Sequence, residues 1–207
     1  MRMAGRVAGI VRRRPVVASE GRWMGTEAFR ATLRGMSMAS TISRLVPSLD
    51  DPRNIIRELY DRVAGLPGGK LLFSRAVGRM APYTGTIDAR VVELRVGFAR
   101  VELDDRRKVR NHLRSVHAVA LVNLAELAGN LALSYSLPAD ARFIVAGLSI
   151  EYVKKARGKI TATSECPVPD SSERHEYEVP VVMTDPGGEV VARATLRSLV
   201  GPKPQAS

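Results

Sequence analysis

Glu126 stands in the middle of the apolar stretch Asn111 to Tyr135, NHLRSVHAVALVNLAELAGNLALSY. That stretch reads as one long helix with a polar lead containing Asn111 and His117. A helix apolar on every side is buried on every side, and its polar breaks argue against a membrane span. A carboxylate there is costly unless it is hydrogen-bonded or put to use. Asn123, Glu126 and Asn130 follow i, i+3 and i+7 and so share a face. Two readings stay open: the amides simply satisfy the acid, or a partly desolvated glutamate serves as general base or nucleophile.

His117 stands in the expected first turn and Asn111 ahead of it. For Asn111 and Ser115, helix capping is the bland alternative to a role in a site. Nine residues separate His117 from Glu126, which at about 100° each is roughly half a turn. The two side chains therefore point to opposite sides, and a site using both has to be completed by a second copy. Backbone N–H groups at a helix start, here around Ala118 and Val119, are free to stabilise negative charge. Such a donor, with a carboxylate that activates water, is what hydrolysis of an activated ester or thioester requires.

Other chemistries find less support. No Gly-x-Ser-x-Gly occurs. Cys166 is alone, without an acid–base partner, and reads as packing. One cysteine and three histidines leave no material for a disulfide framework or a metal centre, and neither a cofactor nor a metal is expected. Gly68-Gly69-Lys70 is not a phosphate loop, because Ala64 and Leu71 fill its diagnostic positions. Lys154, Lys155, Arg157 and Lys159 form either a solvated hairpin tip or a clamp for the phosphates of a nucleotide-tailed substrate.

The elements that must position these groups follow from period and turn chemistry. Asp51-Pro52 opens a helix with Ile55, Ile56, Leu59, Tyr60 and Val63 on one face. A second helix spans Lys70 to Met80, and Pro82 stops it. Strands begin at Ile87 and at Phe98, and a charged turn covers Asp104 to Arg110. After the long helix, ended at Pro138, come four strands: Arg142–Lys155, Lys159–Val168, Glu176–Met183 and Val190–Val200. Short turns between consecutive strands imply an antiparallel sheet, giving a two-layer α+β arrangement with one apolar helix on it.

With 207 residues, 45% apolar and 26% charged, the chain is an ordinary globular protein with one real core. Its net charge of +11 is uneven: residues 1–50 hold nine arginines and three acids, so +6 sits there and +5 on the rest. Only 5% of residues are aromatic, and no aromatic-interleaved basic surface speaks for nucleic acid. Residues 1–50 are expected to be a disordered or non-native extension, with Met24, Met36 and Met38 as alternative starts, or else an organelle transit peptide. The expected organisation is 1–50 extension, 51–82 helical segment, 83–201 α+β domain and 202–207 tail, in the cytoplasm unless the extension directs import.

These residues resemble the hotdog-fold acyl-CoA thioesterase superfamily, especially its phenylacetate-thioesterase-like branch. Its members typically carry an Asn, then His-Gly-Gly opening the central helix, then an acid nine residues after the His. Here the pattern is Asn111, His117-Ala118-Val119 and Glu126-Leu127-Ala128-Gly129, with Ala118 and Val119 replacing the two glycines. The segment from Leu148 to Ala156 looks like the family's central strand. The resemblance implies a hotdog fold, an antiparallel sheet wrapped around one long helix; the extra N-terminal helices over 52–80 fall outside the family's core and are expected to cover the acyl tunnel. It implies Glu126 as general base or nucleophile, Asn111 holding water or thioester, and His117 with the Ala118 N–H polarising the carbonyl. The substrate would be an acyl-CoA or acyl-carrier thioester, and the site would lie at the interface of a homodimer or dimer of dimers. A hotdog module that binds acyl thioesters without turning them over, or a hotdog dehydratase, are the alternatives.

Overall fold

The computed structural model describes residues 53–204; the expected N-terminal extension and the Asp51-Pro52 helix start lie outside them. Helix α1 (Ile55–Val63) is capped by Asn54, whose Oδ1 accepts from the Arg57 N–H at 3.0 Å. Helix α2 (Gly69–Met80) follows a turn that only glycine can make. Gly68 has φ 73°, and a Cβ on Gly69 would stand 1.7 Å from the Val63 carbonyl oxygen. Pro82, expected only to stop α2, also opens the short α3 (Pro82–Gly85) from the first helical position. Tyr60 of α1 meets Phe73 of α2 edge-on at 5.0 Å, and both are buried with the sheet residues in one core.

Strands β1 (Arg90–Arg95), β2 (Phe98–Leu103), β3 (Ala141–Tyr152), β4 (Ile160–Glu165), β5 (His175–Thr184) and β6 (Val190–Pro202) form one antiparallel sheet in the order β1-β2-β4-β5-β6-β3. β1 starts three residues later than expected because Asp88 takes a left-handed φ of 47° and turns the chain first. Alternation then sorts the faces. Val179, Val181 and Met183 of β5 and Leu196 and Val200 of β6 are buried, while Glu176, Glu178, Arg193 and Arg197 face solvent.

The central helix corrects the sequence reading at its start. Helix α4 runs Ala118–Ser136, and residues 111–117 are loop. The reason is local competition for backbone donors. The Asn111 Oδ1 accepts from the Leu113 N–H (2.9 Å), the Ser115 N–H (3.2 Å) and the Ser115 hydroxyl (3.2 Å). Arg114 then adopts a left-handed φ of 55°, which a helix does not tolerate. From Ala118 onward α4 is long and apolar enough to cross a bilayer, but 61% of that window is buried inside the protein. It lies against the sheet so closely that a Cβ on Gly129 would meet Leu196 at 3.0 Å. A long helix set in the curve of an antiparallel sheet is the hotdog arrangement.

The C-terminal carbonyls of α4, which no helix can satisfy internally, are taken up by α1. The Asn54 Nδ2 donates to the Ser134 and Leu137 oxygens at 2.9 and 3.0 Å, and the Arg57 Nε donates to the Tyr135 oxygen at 2.7 Å. Asn54 thus caps one helix and ends another. Asn54→Ala should cost about 1–2 kcal/mol, read as a lower denaturant midpoint at unchanged slope. An unchanged midpoint would contradict this.

Candidate active site

Glu126 is half-buried at the middle of α4 and lines a cavity of about 480 Å³. One wall is the α4 face bearing Glu126, Asn130 and Leu131; α1 and α2 roof it with Ile56, Val77 and Met80, and Phe143 of β3 closes the side. Eleven residues separate Glu126 from Leu137, so this groove follows the helix axis for about 16 Å. No hydrogen bond or ion pair reaches the Glu126 carboxylate from the described residues. The flanking amides therefore do not satisfy it. Asn123 donates instead to the Tyr83 oxygen at 3.2 Å, and the Oδ1 atoms of Asn123 and Asn130 are buried without partners. An unpartnered carboxylate on a cavity wall is a candidate for chemistry on a bound molecule.

The other residues singled out from the sequence gather elsewhere, at the start of α4. His117 is the N-cap and is exposed: its Nδ1 accepts from the Val119 N–H at 3.1 Å. That contact corrects the expectation that the Val119 N–H is available, since it is already spent. The Ala118 N–H has no acceptor among the described residues and remains the free donor. Asn111 is held nearby through the loop, its oxygen committed to the turn described above. Neither Asn111, His117 nor Ala118 lines the Glu126 cavity. Ala118 and Glu126 stand eight residues apart, about 12 Å along the axis.

The basic hairpin is only half available. Lys154 pairs with Asp185 at 2.7 Å and with Glu189, and Lys159 pairs with Glu102 at 3.1 Å. Lys155 and Arg157 flank Ala156, whose oxygen accepts the Val116 N–H at 2.9 Å, so they stand beside the start of α4. Cys166 is buried, and burial pushes its thiol up, away from reactivity. At the mouth of the cavity stand Arg53, Arg142 and Lys203, which the sequence reading missed. They come from three distant parts of the chain, and no local pattern joins them.

Asp105 pins this region together, binding the Arg110 guanidinium at 2.6 Å and the Gly158 N–H at 3.0 Å. The hydrogen bond from Arg110 holds its carboxyl below the usual range. A depressed pKa means a contribution to stability present above the ordinary carboxylate range and lost as pH falls through the lowered value. The difference in Tm between wild type and Asp105→Asn should therefore be constant above about pH 5 and shrink toward pH 3. A difference independent of pH across thermal scans would contradict this.

Sheet order, the central helix and an acid at its middle define the class: a hotdog-fold protein. Within that class the chain belongs to the family described as Domain of unknown function (DUF4442), which matches residues 69–200. A structural-genomics crystal structure is 34% identical and covers 72% of this chain and 97% of its own, with a TM-score of 0.61. A Pseudomonas aeruginosa protein of unknown function, called a probable thioesterase, is 22% identical and covers 66% of this chain and 97% of its own, with a TM-score of 0.58. A Staphylococcus aureus thioesterase is 15% identical and covers 58% of this chain and 99% of its own, with a TM-score of 0.53. At such identities the last two bear on the fold alone. No curated protein matches the chain in sequence.

Proposed function

We propose that this protein hydrolyses acyl thioesters, with Glu126 as general base or nucleophile and the site shared between two copies of the chain. The observation that carries the reading is the unpartnered Glu126 carboxylate on the wall of an apolar cavity. The acyl group lies along α4 beneath α1 and α2, where Ile56, Val77 and Met80 exclude water. The thioester carbonyl meets the Ala118 N–H of the other copy, and developing negative charge falls where the helix start favours it. Of the solved structures that share the fold, one is called a probable thioesterase and another a thioesterase. The carrier's phosphate rests near Lys155 and Arg157, and the Asn111 turn holds the loop that presents the helix start.

A second copy is needed because the donor and the carboxylate occupy separate places in one chain. Among the described residues strand β3 is paired only with β6, so its other edge carries no strand there, and Ile144 on it is 67% exposed. An open edge with exposed apolar residues is a ready partner for another strand, and an isologous pair through it makes two sites at once.

Thiol release from a series of acyl-CoA chain lengths tests the reading. Turnover on some chain length supports it. Binding with no turnover on any of them would favour a non-catalytic acyl-thioester-binding module. That alternative is favoured by one observation: Ala118 and Val119 stand where related sites carry glycines, and the Val119 N–H is already capped.

A further inference from the structure

Nine cations lie on two segments at the start of α4: Arg106, Arg107, Lys108, Arg110 and Arg114 on residues 104–117, and Lys154, Lys155, Arg157 and Lys159 on residues 154–159. Only Asp104 and Asp105 oppose them within those segments. The segments form one surface, because the Val116 N–H donates to the Ala156 oxygen and the Gly158 N–H to Asp105. Five of the nine are in ion pairs, two of them sharing Asp88. Arg106 and Lys108 reach Asp88 at 2.9 and 3.9 Å, Arg110 binds Asp105, Lys154 binds Asp185, and Lys159 binds Glu102. Arg107, Arg114, Lys155 and Arg157 have no ion pair among the described residues. Beside Arg114, Leu113 is 49% exposed.

Arg157 lies in the field of the Asp105 carboxylate, while Arg107, Arg114 and Lys155 meet no acid among the described residues. Like charges on one surface repel one another, and a partner's acids would offset that. The surface borders the helix start to which the proposed function assigns the thioester carbonyl. The phosphates of a free nucleotide would engage a few of these cations and leave Leu113 uncovered. An acidic protein face meets both the spread of charge and the apolar side chain among it. We infer, resting on the thioesterase reading, that the carrier presenting the acyl group is an acidic protein. It docks on Arg107, Leu113 and Arg114 and delivers its thioester on a flexible arm past Lys155 and Arg157.

The test presents one decanoyl thioester in three ways: on an acidic acyl carrier protein, on coenzyme A, and on pantetheine, which has neither protein nor phosphate. On the carrier protein, kcat/KM should fall about tenfold between 50 and 300 mM NaCl, and about tenfold in the double variant Arg107→Glu, Arg114→Asp. The pantetheine and coenzyme A thioesters should change less than about twofold in that variant, provided its Tm matches wild type. Equal losses on coenzyme A and carrier protein would overturn the inference, because the surface would then read nucleotide phosphate. So would no loss on either. Fluorescence anisotropy of labelled carrier protein on Glu126→Gln separates the two readings. Salt-sensitive binding with no thiol release by wild type keeps the docking surface and removes the hydrolase.

Discussion

Glu126→Gln should abolish most thiol release, lowering kcat by roughly 10²–10⁴-fold while leaving substrate affinity and fold nearly unchanged. The exchange is isosteric and removes only the ability to take a proton or attack carbon. Glu126 makes no hydrogen bond or ion pair with the described residues, so nothing structural is lost with its charge. Removing a half-buried charge against apolar walls should, if anything, raise stability slightly. A stable variant with normal turnover would remove Glu126 from the chemistry. Loss of turnover together with loss of fold would point to a structural acid instead.

Ala118→Pro is the second large effect, and it deletes a single N–H. Proline is well suited to the first turn of a helix, where its missing donor has no intrahelical partner anyway. His117 ahead of it has φ −67° and ψ 141°, the extended geometry that a residue before proline prefers. The Ala118 N–H has no acceptor among the described residues, so the substitution breaks no hydrogen bond described in the fold. Removing one oxyanion donor costs about 10²–10³-fold in kcat. The expected outcome is a protein with wild-type Tm and kcat lowered by about that factor. Full activity would mean that the helix start plays no part, and that His117 or nothing polarises the carbonyl.

Much of the fold was legible because its signals are local. The apolar run from Ala118 onward, the alternation of β5 and β6 and the turn residues between strands placed the sheet and its helix. Where the reading erred, another local interaction had won. The Asn111 side chain spends three acceptor contacts on its own loop and takes residues 111–117 out of the helix. Contacts distant in sequence left no trace in it. Nothing near Lys154 or Lys159 announces that Asp185 and Glu102 neutralise them, and nothing near Asn54 announces that it also ends α4. Glu126 was legible as an anomaly, a charge in an apolar run. Its proposed role rests on the cavity beside it, which packing alone creates.

Mixed dimers test the shared site most directly. Glu126→Gln and Ala118→Pro chains, each inactive alone, are co-expressed with different tags and the mixed species purified. If the carboxylate of one copy serves the helix start of the other, each mixed dimer holds one doubly damaged site and one intact site. Its activity should then return to about half that of wild type, or about a quarter for an unsorted statistical mixture. If both groups serve the same chain, every site in the mixed dimer carries one lesion. Activity then stays at the level of the parent variants, and the shared site is contradicted.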